Sequence, residues 1–222
     1  MIKIDFLTIF PELVRPYMEG SIMKRACDAG VASFGYTDIR DFAEDKHHRV
    51  DDTPYGGGAG MVMQVAPIHR AVVQVVENSD IQRDRRIILL SAKGKRFTQS
   101  DAQRLKNYKH VIFICGRYEG VDERVAEHIA DEELSIGDYV LTGGELGAMV
   151  IADSIVRLLP GVLGNAESII HESHATEGYC EHPQYTKPED FNGWHVPDVL
   201  LSGNHQLIEK WRSEHSKKTD NV

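Results

Sequence analysis

The sequence predicts an α/β fold: a mainly parallel sheet with flanking helices. Two observations carry this. Strand-like and helix-like segments alternate along the chain, an order that builds parallel sheets. The apolar β-segments are also short and lack strict apolar–polar alternation, as strands covered on both faces do.

Each element follows from a local pattern. Ile2 to Phe10 is rich in apolar and β-branched residues and reads as a strand. Pro11 and Glu12 open a helix with apolar residues at Leu13, Val14, Tyr17 and Met18; it continues through Ala26 and stops at Gly30. Val31 to Ile39 reads as a second strand. Arg40 to Ala66 has no clean period and reads as a long loop, a feature that is usually functional. Pro67 starts a helix through Ile68, Ala71, Val72 and Val75, and Ile87 to Leu90 is a short buried strand. Thr98 caps a helix with Ala102 and Leu105, Val111 to Cys115 is a buried strand, and Asp122 to Ile129 is a helix. Glu133 to Ile136 begins another strand, and Gly144 to Leu159 has helical spacing up to Pro160. Leu163 to Asn192 is polar and reads as a linker; Asn204 then caps a helix with Leu207, Ile208 and Trp211, and the tail after Ser213 is expected to fray.

Composition narrows the class. The chain has 222 residues, 41% hydrophobic and 27% charged, which excludes disorder over most of its length, a collagen-like fibre and a disulfide-stapled mini-protein. Its net charge of −9 excludes a broadly basic nucleic-acid coat but not a local patch. Cys27, Cys115 and Cys180 form no CxxC pair, which points to a reducing compartment and no structural zinc. Met1 to Phe6 lacks the pattern of a signal peptide, and the apolar stretch from Ala148 to Leu163 is broken by Asp153, Arg157 and Pro160. A soluble cytoplasmic protein, free of membrane, is expected.

Five segments can hold chemistry. Gly56-Gly57-Gly58-Ala59-Gly60 puts four glycines in five positions, which permits close backbone approach, although a glycine-rich stretch alone is more often a plain surface loop. It lacks the GK[ST] ending of a phosphate loop. Leu89 to Gly94 and Cys115 to Gly120 both follow buried strands, and in open α/β sheets ligands sit outside the carboxyl ends of strands. Ser135 to Glu145 sets glycines around an apolar centre, a seat for an adenine-like ring held by backbone groups. No GxGxxG is present, which argues against NAD or FAD. The fifth segment, Arg157 to His182, holds Glu167, Glu172, Glu177 and Glu181 with His171, His174 and His182; neither HExxH nor HxH occurs, which disfavours zinc.

Taken together and in order, Pro54-Tyr55-Gly56-Gly57-Gly58, Gly116 through Arg124, Ser135 through Glu145, Pro160-Gly161-Val162-Leu163-Gly164 and Leu201-Ser202-Gly203-Asn204-His205 resemble the bacterial tRNA (guanine-N1)-methyltransferases of the trefoil-knotted SPOUT class. The likeness runs from Phe10 to about Trp211. It implies S-adenosyl-L-methionine as methyl donor, with N1 of the guanine at position 37 of tRNA, just 3′ of the anticodon, as acceptor. It implies a homodimer whose site spans two subunits, and a deep knot, which no periodicity reveals and which general topology rules would exclude. It divides the chain into a knotted cofactor-binding α/β domain over 1–163, a linker and active-site loop over 164–190, and a short helical tRNA-binding domain over 191–222.

Residue by residue, the resemblance puts the cofactor on Leu89, Leu90, Ser91, Gly116, Tyr118, Glu119, Ile136, Gly137, Asp138, Tyr139, Val140, Leu141, Gly143 and Gly144. It puts the tRNA on Asp51, Gly56, Gly57, Gly58, Ser202, Asn204 and His205, with Arg157 near the reacting guanine. The family's general base is an aspartate in an Asp-Ser-Phe context; here Glu172-Ser173-His174 stands in its place, so Glu172 takes that role, with His171 and His174 as rivals. Glu119 and Glu181 match acidic positions linked to magnesium, although spacing alone demands no metal. Ala92 and Gly147 stand where the family has proline. Two other readings are open: a related knotted methyltransferase acting on ribosomal RNA, and a non-catalytic RNA-binding module. The carboxylate at Glu172 and the cofactor turns favour catalysis over the latter.

Overall fold

A computed structural model describes residues 1–81, 83–164, 172–176 and 178–218. The chain divides into two units, Met1–Gly164 and Asn165–Val222. The first runs β1 (Ile2–Thr8), α1 (Pro11–Met18), α2 (Ser21–Asp28), β2 (Ala32–Asp38), a 3₁₀ turn (Ile39–Phe42), β3 (Asp51–Asp52), β4 (Val62–Met63) and α3 (Val65–Glu77). It continues with β5 (Arg85–Arg96), α4 (Gln99–Leu105), β6 (His110–Cys115), α5 (Glu123–His128), β7 (Glu132–Ser135) and α6 (Glu145–Val156).

The main sheet has the order β2-β1-β6-β5-β7, and its pairings are parallel. The parallel α/β class read from the sequence is therefore present. Its cause is visible along each strand. Alternate residues enter opposite cores: Ile88, Leu90, Val111, Phe113 and Cys115 pack with α1, α2, α4 and α6, while Ile87, Leu89, Ile112 and Ile114 pack with α3 and α5. Both faces are covered, so the strands read as unbroken apolar runs. Each fully buried side chain such as Ile88 or Phe113 contributes about 1.5–3 kcal/mol.

Three elements differ from expectation. The single helix expected from Pro11 to Ala26 is two, because Gly20 is extended at φ −106° and ψ 160°. The strand expected at Ile87 to Leu90 extends to Arg96; its second half is polar and exposed, so hydrophobicity missed it. There the register against β7 shifts between Leu90 and Lys95. The loop from Arg40 to Ala66 is anchored at both ends. Asp38 caps the 3₁₀ turn by accepting from the Arg40 N–H at 2.8 Å, and β3 pairs antiparallel with β4.

One buried polar chain braces the far end of the sheet. His110 Nε2 lies 2.6 Å from Asp5 Oδ2, and its Nδ1 lies 3.3 Å from Ser79 Oγ. Lys3 Nζ approaches the same aspartate at 3.1 Å. These groups lie toward the amino ends of β1 and β6, away from the turns that carry the candidate site.

In the second unit, β8 (Tyr179–Cys180) pairs with β11 (Lys217–Lys218), and β9 (Asp190–Phe191) pairs with β10 (Trp194–His195). Helices α7 (Asp198–Leu201) and α8 (His205–His215) lie between β10 and β11 in sequence. The Asn204 side chain accepts from the N–H groups of Gln206 and Leu207 at 3.2 and 3.3 Å, the expected cap. The expected fraying after Ser213 is absent as far as residue 218: α8 reaches His215, and Lys217 and Lys218 are held in a ladder, while 219–222 lie outside the described residues.

Candidate active site

The middle of β5, from Leu89 to Lys93, and the turns after β6 and β7 surround a cavity of about 440 Å³. The residues expected at the cofactor meet there. Leu89, Leu90, Ser91, Gly116, Tyr118, Glu119, Ile136, Gly137, Tyr139, Val140, Leu141, Gly143 and Gly144 line it. Asp138 does not. Its side chain is 83% exposed and pairs with Arg96 across the second half of β5. The long strand presents that arginine, so the polar extension that hydrophobicity missed also draws Asp138 out of the cavity.

The turn after β7 is shaped by its own hydroxyls. Ser135 Oγ donates to the Gly137 carbonyl at 2.9 Å, and the Tyr139 hydroxyl donates to the Ile136 carbonyl at 3.2 Å. Gly144 then lets α6 start directly against the strand ends. Its N–H donates to the Gly116 carbonyl at 2.9 Å, and a Cβ there would meet Cys115 Cα and Leu90 Cβ, each at 2.9 Å. Cys115 itself is buried, and burial raises its thiol pKa well above the ordinary range. It is the small core hydrophobe that the sequence suggests.

The glycine loop is seated beside the second turn. The Met63 N–H donates to the Gly120 carbonyl at 2.9 Å, and the Glu119 N–H donates to the Met61 carbonyl at 3.0 Å. Gly60 has φ +81°, and a Cβ there would come within 2.4 Å of Glu119 Cγ. A side chain is therefore excluded on two grounds. Gly56, Gly57 and Gly58 also have positive φ and are exposed. Tyr118, itself at φ 60°, reaches Asp51 and Arg40. Burial and the Asp51 carboxylate raise its phenol pKa, and Arg40 opposes them. The expected guanine-side Asp51 thus touches an expected cofactor residue.

Other placements divide between the units. Arg157 follows α6 as its C-cap in the first unit. Glu172 lies in the second, in a folded turn: the Ala175 N–H donates to its carbonyl at 3.0 Å, and Ser173 Oγ accepts from the Glu181 N–H at 3.0 Å. His171, Glu167 and Glu177 lie outside the described residues. Ser202 and Asn204 are engaged locally, since Ser202 Oγ donates to the Val199 carbonyl at 2.7 Å and Asn204 caps α8, whose first residue is His205. The second unit has its own cavity of about 410 Å³, lined among others by Tyr185, Lys187, Ile208 and Arg212.

Residues that pattern reading passed over also line the first cavity, among them Arg117 and Glu133. Glu133 keeps Oε1 buried with no hydrogen-bond partner among the described residues. A ligand amino or hydroxyl group would satisfy it. No signal in the sequence separates Glu133 from its neighbours Glu132 and Asp131.

Comparison with known proteins identifies the framework. The family model described as tRNA (guanine-1)-methyltransferase TrmD matches residues 2–221. The chain belongs to that family. A protein of Anoxybacillus flavithermus called tRNA (guanine-N(1)-)-methyltransferase is 55% identical over 214 residues, 96% of this chain and 86% of that one. A protein of the same description from Halalkalibacterium halodurans is 54% identical over 216 residues, 97% of this chain and 87% of the other. One from Listeria monocytogenes is 51% identical over the same length. The cavity sets the exposed side chains of Val140 and Leu141 beside glycine backbone. The donor set of a metal is different. Among the described residues no three His, Cys, Asp or Glu side chains cluster as a metal site requires. No helix among them is long and apolar enough to cross a membrane.

Proposed function

We propose that this protein transfers a methyl group from S-adenosyl-L-methionine to N1 of the tRNA guanine just 3′ of the anticodon. The observation that carries the reading is the cavity between the middle of β5 and the turns after β6 and β7, lined by thirteen of the fourteen expected cofactor residues in a chain of this family. When bound, the cofactor supplies a methyl group on a sulfonium, already activated for displacement. The protein's task is then deprotonation and alignment. Guanine N1 carries a proton and is a poor nucleophile until it loses it. Glu172 takes that proton. The charge left behind spreads to the neighbouring O6, where the Arg157 guanidinium stabilises it. No step is routed through magnesium. Methyl transfer to unmodified tRNA with guanine at that position, against tRNA lacking it, tests the assignment; equal labelling of both overturns the position, and labelling of neither favours the ribosomal or non-catalytic alternatives.

The knot and the 1–163, 164–190 and 191–222 division belong to the same proposal, as does a cytoplasmic homodimer that completes its site with partner residues. Leu13 and Tyr17 on α1, and Leu146 and Val150 on the neighbouring α6, are apolar yet between 48% and 57% exposed, which supports a second copy covering them. Sedimentation of the active protein is expected to give a dimer. An active monomer sinks this part.

The tRNA surface has an unusual cost structure. Arg49, Lys93, Lys95, Arg96, Lys210 and Arg212 are the basic positions expected to meet phosphates, and each is ion-paired with a carboxylate of its own chain. Pairs exposed on both sides, such as Lys93–Glu123 and Arg96–Asp138, are worth about 0–1 kcal/mol, so phosphates can displace those carboxylates cheaply; Lys95 differs, because its partner Asp101 is buried. The tRNA affinity is expected to fall steeply from low to moderate salt despite the acidic net charge. A flat salt response contradicts contact through these groups.

A further inference from the structure

Glu145 is the first residue of α6 and is 2% exposed, yet it does not line the cavity. Its carboxylate accepts three contacts from two donors. Thr8 Oγ1, at the end of β1, donates to Oε1 at 2.6 Å. Arg117 Nε, after β6, donates to both oxygens at 3.1 and 3.0 Å. Arg117 is in turn fixed on every side. Its Nη1 donates to the Thr142 carbonyl at 3.4 Å, its guanidinium lies 4.7 Å from the Phe10 ring centre, and its backbone N–H points at Met63 Sδ at 3.2 Å. One network thus joins the ends of β1 and β6, the glycine-loop root and the 142–144 stretch that closes the cavity. A buried carboxylate at a helix start is favoured by the helix dipole, but with a bound cation removed it would carry a large desolvation penalty. The network therefore has one low-energy arrangement, and that arrangement sets where Arg117 and the 136–144 loop stand.

We infer that Glu145, together with Thr8, is a positioning group for the cofactor: acting through Arg117, it holds the 136–144 loop in the shape that accepts S-adenosylmethionine. The inference rests on the methyltransferase reading above. Glu145 touches no ligand. It acts by keeping the charge of Arg117 paired and its guanidinium in place. Thr8 carries no charge and lies outside the cavity; its hydroxyl donates to Glu145 and accepts from the Phe10 N–H at 3.0 Å, so any effect on cofactor affinity travels through the carboxylate or through Phe10, and both routes meet at Arg117.

The test is calorimetry with S-adenosylmethionine, joined to steady-state kinetics on tRNA and thermal unfolding. Glu145→Gln keeps shape but removes the charge that pairs with Arg117. It is expected to weaken cofactor affinity about 10–100-fold, the scale of one lost charge-assisted hydrogen bond. The cofactor KM should rise by the same factor, while kcat at saturating cofactor and the tRNA KM stay within about threefold. Thr8→Val is the milder variant should Glu145→Gln not fold; a loss of about three- to tenfold is expected, and Thr8→Ser should restore affinity. A purely structural role predicts lower unfolding temperatures with unchanged affinity in the folded variants, and that result overturns the inference. So does a fall in kcat with the cofactor KM unmoved. If the unaltered protein itself binds no S-adenosylmethionine, the methyltransferase reading fails and takes this assignment with it; binding by the unaltered protein and by both variants alike overturns the assignment alone.

Discussion

Glu172→Gln is expected to slow the chemical step about 10²–10⁴-fold in single-turnover methyl transfer, with S-adenosylmethionine affinity preserved. The substitution keeps the volume and removes the base. Backbone groups that the substitution leaves intact hold the residues around it: the Ala175 N–H donates to the Glu172 carbonyl at 3.0 Å and the His174 N–H to the Tyr179 carbonyl at 2.7 Å. Glu172→Asp restores the shorter carboxylate found at this place in the family and should recover much of the rate. Its recovery measures how far one extra methylene matters to the proton transfer. The rivals are imidazoles, His174 beside it and His171, which lies outside the described residues. An imidazole exchanges protons near neutral pH and so also suits the task. A near-normal single-turnover rate in Glu172→Gln, with loss in His171→Ala or His174→Ala, reassigns the base.

Gly143→Val should abolish measurable cofactor binding, a loss of more than about 100-fold, in a protein that still folds. Composition alone suggests that a side chain here would strike the ligand. The structure names a nearer obstacle. A Cβ on Gly143 would sit 2.3 Å from Arg117 Nε and 2.5 Å from Glu145 Oε2. Valine must therefore prise apart the pair that holds the cavity wall. Gly144 is the instructive contrast. Its Cβ would meet backbone of Cys115 rather than the ends of side chains, so nothing can swing aside. Gly144→Ala is expected to cost about 1–3 kcal/mol of stability, as overpacking does, and to show first in the unfolding temperature. Calorimetry beside thermal unfolding separates the two: affinity without stability for Gly143, stability with affinity for Gly144. Unchanged affinity in folded Gly143→Val removes the cavity as the cofactor site.

What could be read from the sequence was whatever depends on local pattern. Buried strands such as Val111 to Cys115 and caps such as Thr98 and Asn204 declare themselves through hydrophobicity and short-range hydrogen bonding. Turns after those strands were legible as site candidates for the same reason. What stayed hidden depends on partners distant in sequence. The polar half of β5 is a strand because β7 pairs with it, not because its residues favour one. Asp138 looked like its cavity-lining neighbours, and only the arrival of Arg96 sets it apart. The helix break at Gly20 is the exception: it was readable, since glycine costs a helix interior about 1 kcal/mol relative to alanine. The helix-like spacing of apolar residues from Leu13 to Ala26 outweighed that signal.

The bond between Thr8 and Glu145 spans 137 positions of chain. Its consequence concerns time rather than shape. The first strand occupies an interior place in the sheet, between β2 and β6, so it must wait for a neighbour made more than 70 residues later. The cavity wall waits longer, until the start of α6 has been synthesised. Contacts this far apart carry a heavy loop-closure entropy before they return any energy, and chains dominated by them fold slowly. During translation the ribosome will therefore have released well over half of the chain before the cofactor site can exist. Until β6 has been made, the edge of β1 that will receive it stands open to other chains. The same connectivity that makes the finished site rigid makes its birth the most exposed moment in the life of the protein.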